Sequence, residues 1–273
     1  MARTLNKDTQ LCISLAARPS NHGTRFHNFL YEELDLNYVY KAFAPTDLED
    51  AIRGIRGLPI RGAAVSMPFK EACIPFLDEM SPSAAVIQSV NTIVNTDGQL
   101  TAYNTDYLAI ASLLASHEVD RNDDFVVLGS GGMAKAVVAA LHDAGFETGT
   151  VVARTEATGS AVAARYGYEW KAELGSLRPS VLINATPVGM AGGTGEGKMP
   201  VPGDAVGAAT TVFDVVAAPS ETPLILAARA ADRRVITGAE VVALQAAEQF
   251  ELYTGVRPTP DQVERAAAHA RTG

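Results

Sequence analysis

Residues 129–132, Gly-Ser-Gly-Gly, lie between four apolar residues, Phe125–Leu128, and an alanine-rich run from Met133 to Ala144 that stops at Gly145. The apolar run predicts a strand buried on both faces, and the alanine-rich run predicts a helix. A strand, a glycine turn and a helix in this order form a cradle for a dinucleotide. The glycines let backbone N–H groups approach a pyrophosphate, and the helix N-terminus adds partial positive charge. Gly129, Ser130, Gly131, Gly132, Met133 and Ala134 are therefore candidate cofactor contacts. Ala134 stands where the usual fingerprint has its third glycine, a tolerated replacement. A glycine turn with no ligand is the other reading of the same residues.

The next strand, residues 149–154 (GTVVAR), ends at Arg154 and Thr155. That is the distance beyond the glycines at which such folds meet the adenosine ribose. An NAD-specific site places Asp or Glu there. A cation and a hydroxyl favour a 2′-phosphate, so NADP is expected over NAD. Glu156 beside them keeps NAD open.

Two earlier stretches are chemically pointed. A small-residue strand from Gly62 runs into Pro68, and Lys70 follows at its C-terminal edge, where α/β proteins place ligands. The alternative is an ordinary surface lysine. Asn104-Thr105-Asp106 precedes an apolar-periodic helix starting near Tyr107; Thr105 or Asp106 is either a helix cap or a site residue. Residues 192–198 (GGTGEGK) imitate a phosphate-binding loop. Met199 replaces the magnesium-holding hydroxyl, and Pro200 and Pro202 prevent an immediate helix, so this stretch reads as a mobile loop.

The whole chain limits what these residues can serve. Its 273 residues favour two domains. A net charge of −9 without a basic run argues against a nucleic-acid partner. No run of about 18 apolar residues predicts a membrane span, and the first ten residues lack a signal-peptide core, so a cytoplasmic protein is expected. Cys12 and Cys73 are too few for a disulfide framework, and neither they nor the five histidines have metal-ligand spacing; no metal is expected.

Strands are expected at Gln10–Ser14, 37–43 and 89–95, the last carrying Asn91 and joined by an Asp97-Gly98 hairpin to 100–104. Phe26, Phe29, Leu30 and Leu34 recur at helical spacing. Thr46 and Glu49 fit a capping box for a helix through Ile55, and Ser81-Pro82 marks another helix start. Beyond the glycine turn, strands are expected from Val181, Thr211 and Arg234. Helices follow from Thr222-Pro223, from Gly238 through Thr254 with Gln245 in it, and from Thr259-Pro260.

Residues 65–70 (VSMPFK), 89–92 (SVNT), 104–106 (NTD), 129–136 (GSGGMAKA), 184–190 (NATPVGM) and 238–245 (GAEVVALQ) stand in the order of the shikimate dehydrogenase family. The chain resembles that family over nearly its whole length, and more narrowly its shikimate dehydrogenase-like branch. The resemblance implies an α/β fold with a split catalytic domain, 1–105 and 238–273, and an inserted Rossmann-type domain, 106–237. It implies reversible hydride transfer between NADP and the shikimate/3-dehydroshikimate pair, a step of aromatic amino acid biosynthesis, by a monomer or homodimer. By the same resemblance Lys70 and Asp106 are the catalytic pair, and Ser20, Ser66, Asn91, Asp106 and Gln245 meet the substrate. Asn184, Thr186, Val215 and Gly238 join the cofactor contacts.

Three departures accompany the resemblance. The family's first loop carries a serine-x-serine pair for the substrate carboxylate; here Ser20 stands for one serine, and His22 or Gly23 occupies the other place. Arg18 offers an alternative carboxylate partner. Ala217 replaces a family tyrosine, and the family's second 2′-phosphate arginine falls near Thr158. Weak shikimate turnover, or another substrate such as quinate with NADP or NAD, is the expectation. A non-catalytic nucleotide- or metabolite-sensing module is the alternative from another class.

Overall fold

Small residues on one strand decide how the first half packs. Gly62 opens β3 (Gly62–Val65), and a Cβ there would fall 2.2 Å from the Tyr253 ring. The long helix Gly238–Thr254, which carries Tyr253, therefore lies directly on that strand. The structure, a computed structural model, describes residues 5–271. It divides into two units, one running through Thr105 and resuming at Ala243, the other Asp106–Val242. The second division falls inside the helix Gly238–Thr254.

In the first unit β3 joins β1 (Gln10–Leu15), β2 (Tyr38–Phe43), β4 (Glu79–Met80), β5 (Thr92–Thr96) and β6 (Gln99–Tyr103) in one mixed sheet ordered β2-β1-β3-β5-β6-β4. Strand alternation sends Cys12 and Tyr40 to one face with Phe26, Leu30, Tyr31, Phe250 and Tyr253. Ile13 and Leu15 go to the other, with Ile52, Ile55, Ile93 and Leu100. The hairpin turn has φ of 52° at Asp97 and 89° at Gly98, both positive as a two-residue I′ turn requires. The helix Leu48–Gly57 is capped by Asp47, whose Oδ1 accepts from the Asp50 N–H at 2.8 Å. This corrects the Thr46–Glu49 box: Asp47 already occupies the extended cap position, and Glu49 pairs with Arg53 instead.

The second unit is a six-stranded parallel sheet: β7 (Phe125–Leu128), β8 (Gly149–Val152), β9 (Glu169–Lys171), β10 (Val181–Asn184), β11 (Thr211–Asp214) and β12 (Arg234–Thr237). Its order is β9-β8-β7-β10-β11-β12. Counted from β7, that is the 3-2-1-4-5-6 order of dinucleotide-binding sheets, with the switch point between β7 and β10. Every residue of β7, β10 and β11 is buried, as a sheet covered on both faces demands. Among the described residues no helix is long and apolar enough to cross a membrane. Cys12 and Cys73 are both buried and unbridged, and burial pushes the Cys73 thiol up to about 11.

Candidate active site

Topology gathers several candidate residues at one sheet edge. Strands β1 and β3 run parallel, and β5 and β6 each reverse direction, so the ends of β1, β3 and β6 meet the start of β5. Ser20 follows β1, Ser66 and Lys70 follow β3, and Asn91 precedes β5. Ser66 is exposed; its N–H donates to Leu15 O at 2.9 Å. Lys70 is half-buried in the short helix Phe69–Ala72, and its carbonyl accepts from the Val90 N–H at 2.8 Å. The lysine backbone is thereby tied to the segment that carries Asn91.

Asn91 is buried, and its amide orientation is determined by its neighbours. Oδ1 accepts from the Thr105 N–H (2.8 Å), the Thr92 hydroxyl (2.9 Å) and the Thr105 hydroxyl (3.2 Å). Nδ2 is buried with no hydrogen-bond partner. A buried donor left unmet costs about 1–3 kcal/mol, so the arrangement favours a polar group arriving there. Gln245 Oε1 faces the Thr105 hydroxyl at 3.3 Å, and Gln249 Nε2 donates to the Thr92 hydroxyl at 3.0 Å. Thr92 and Thr105 hold Asn91 over 1 and 14 residues of chain, whereas the part played by Gln249 had no signal in the sequence, because it lies on a helix 157 residues beyond Thr92. The helix Thr105–Ser116 starts at Thr105, so neither Thr105 nor the buried Asp106 is its N-cap. Asp106 opens the second unit.

The first loop is less built. Arg18 and Ser20 are exposed, and the Ser20 hydroxyl accepts from the His22 N–H at 3.4 Å. His22 opens the helix His22–Glu33; burial, and then Arg271, lower its pKa.

In the second unit a crevice of about 590 Å³ opens at the ends of β7, β8 and β10. Gly129, Ser130, Gly131, Arg154, Thr155 and Thr186 line it. Gly129 has φ of 111°, and a Cβ would press on Ala185 O at 3.0 Å, so this position demands glycine. At Gly131 and Gly132 an added Cβ meets nothing within 4 Å. Protein packing does not require those two glycines, which leave open space at the start of the helix Gly132–Asp143, the kind of helix end that favours a phosphate group. Met133 is half-buried in the first turn, and Ala134 is fully buried, as close helix–strand packing requires.

Gly132, Met133, Ala134, Asn184, Val215 and Gly238, also expected as cofactor contacts, do not line this crevice. Asn184 is fully buried: its Oδ1 accepts from Thr186 N–H (3.1 Å) and hydroxyl (2.6 Å), and its Nδ2 donates to Val188 O (3.1 Å) and Asp214 Oδ1 (3.0 Å). It shapes the loop that presents Thr186. Val215 N–H donates to Asn184 O at 3.0 Å. Gly238 is a packing glycine, since a Cβ would lie 2.4 Å from Val216 C and O. Asp214, not foreseen as important, completes this network; it accepts from Val216 N–H at 3.0 Å and the Thr222 hydroxyl at 2.6 Å. Burial pushes its carboxyl up, against the pull of those donors.

Comparison with known proteins agrees with both halves. Residues 20–93 match the shikimate dehydrogenase substrate binding domain. The chain is 54% identical to the shikimate dehydrogenase-like protein of Haemophilus influenzae over 98% of this chain and 99% of that one. It is 36% identical to the shikimate dehydrogenase (NADP(+)) of Chlorobaculum tepidum over 88% of each. Among solved structures, that of a Thermus thermophilus shikimate 5-dehydrogenase in complex with NADP(H) and shikimate superposes with a TM-score of 0.85 at 31% identity, over 96% of this chain and 99% of that one. With one sheet built as a substrate domain and the other as a dinucleotide-binding domain, this chain belongs to the shikimate dehydrogenase family.

Proposed function

We propose that this protein is an NADP-dependent dehydrogenase that interconverts shikimate and 3-dehydroshikimate, with slow turnover. The observation that carries the reading is Asn91: a buried amide with a saturated oxygen and an unmet N–H, at the same sheet edge as Lys70. Such a group needs an acceptor, and a substrate hydroxyl oxygen supplies one.

NADP, when bound, supplies or accepts the hydride. Lys70 takes the proton from the reacting hydroxyl as its carbon becomes a ketone, and returns it to the oxygen in reduction. As an ammonium it also stabilises the negative charge that develops on that oxygen. Asp106 orients the lysine and accepts from a neighbouring hydroxyl. Asn91 donates to one hydroxyl, and Gln245 and Ser66 bracket the ring. Arg154 and Thr155 hold the 2′-phosphate, and the glycine turn holds the pyrophosphate.

A second reading, a different cyclic hydroxy acid such as quinate, is favoured by the first loop and by Ala217. Only one serine hydroxyl stands where the family uses two, and a methyl replaces a phenol. Initial rates of shikimate and quinate oxidation with NADP and NAD, followed at the nicotinamide absorbance, test both. Saturable shikimate turnover with NADP supports the first. Faster quinate turnover moves the substrate assignment. Cofactor binding with no turnover of either acid defeats both.

A further inference from the structure

The crevice beside the glycine turn has an unexpected second wall. Thr194, Gly195, Lys198 and Pro200 line it together with Arg154 and Thr155. These residues belong to the stretch that imitates a phosphate-binding loop. It is not loosely built: Gly189 N–H donates to Gly195 O at 2.9 Å, and Lys198 N–H donates to Gly195 O at 3.1 Å. A Cβ on Gly195 would sit 2.9 Å from Val188 Cα, and Val201 is buried. The loop is a run of turns packed against the strand end, and that placement sets Lys198 on the crevice.

Charge on this crevice is one-sided. Arg154 and Lys198 are its basic side chains, and no Asp or Glu lines it. Both are exposed, and among the described residues neither is held in an ion pair. Glu156 lies off the crevice, and the Glu196 carboxylate accepts from the Gly192 N–H at 3.0 Å. Thr158, which falls where the family has its second phosphate-binding arginine, also lies off the crevice. Its hydroxyl is taken up by Ser130 Oγ (2.8 Å) and Thr155 O (3.2 Å). Arg154 alone would face a monoester phosphate of nearly two negative charges.

We propose that Lys198 is a specificity-determining residue, a second cation on the crevice shared with Arg154 that meets the 2′-phosphate and so selects NADP over NAD. The inference rests on the NADP reading above and adds the residue that replaces the missing arginine. A lysine suits an exposed loop because it acts as a mobile point charge without the fixed fork geometry of arginine.

Calorimetric titration of the intact protein with NADP, NAD, 2′,5′-ADP and 5′-AMP tests it, with Lys198→Ala, Lys198→Arg and, as reference, Arg154→Ala. Lys198→Ala is expected to weaken NADP and 2′,5′-ADP about five- to tenfold, the size of one exposed charge-assisted contact. NAD and 5′-AMP affinities stay unchanged, Lys198→Arg restores binding, and the difference shrinks as salt rises. Equal weakening of NADP and NAD would move Lys198 to the pyrophosphate and overturn the proposal, as would no change in NADP. Wild-type protein that binds no NADP at all would overturn the cofactor reading first, and this inference with it.

Discussion

Replacing His27 by phenylalanine should flatten the acid side of the stability profile of the first unit. His27 is fully buried, and neither ring nitrogen has a hydrogen-bond partner of good geometry, although Gln249 lies near enough to oppose part of the effect of burial. Its ring stacks on Tyr40 at 4.5 Å with an 11° tilt, and Phe26, Tyr31, Phe250 and Tyr253 surround it. Burial is the main cause that lowers its pKa from 6.5 to about 3, so the fold holds it neutral. The sign follows from proton counting. Between those values the unfolded chain binds a proton that the folded chain does not, so stability falls as pH drops below about 6.5. From pH 8 to pH 5 the loss from this one group comes to about 2 kcal/mol. His27→Phe preserves the stacked ring and removes the titration. A smaller slope remains from His22, which is also held below its ordinary value. The single tryptophan, Trp170, lies in the other unit and reports the wrong transition. Hydrogen exchange of the β1 and β3 amides, measured from pH 8 to pH 5 and corrected for intrinsic rates, reads the right one. The same loss of protection in parent and variant would refute the assignment of the acid slope to His27.

Other substitutions test the remaining structure. Gly129→Ala should cost about 1–3 kcal/mol through its left-handed φ and the approach to Ala185 O, and weaken dinucleotide binding, read by thermal unfolding with and without NADP. Asp214→Ala strips an acceptor from Asn184, Val216 and Thr222 at once; a loss above about 3 kcal/mol is expected in denaturant unfolding followed by Trp170 fluorescence. Asp47→Ala should cost about 1 kcal/mol as a lost cap, whereas Thr46→Ala should be nearly silent.

Periodicity made the strongly patterned elements legible. β7, β10 and β11 are short runs of buried residues between turn signals, and the helices that follow glycine or Thr-Pro carry their start signals in the sequence. Elements with weak local signals were missed. β9 is three residues, Glu-Trp-Lys, and it is positioned by Trp170, whose indole donates to Ala153 O at 3.1 Å and fits only because Gly159 has no side chain. The helices Glu156–Arg165 and Gly203–Ala208 and the two-residue β4 likewise lack strong patterning. Among the candidate residues, residue types singled out Lys70 and Arg154, whereas Asn91 came only from the family resemblance. The Gln249 contact to Asn91 and the loop that brings Lys198 to the crevice arise from segments far apart in the chain, where no local spacing could reveal them.

The most direct measurement is the rate of NADP-dependent shikimate oxidation by the wild-type protein and by Lys70→Ala. If Lys70 carries the proton, the variant loses two to four orders of magnitude in kcat, as removal of a general acid–base does, while NADP binding is unchanged. Equal kcat in the two proteins would contradict the dehydrogenase mechanism built on Lys70.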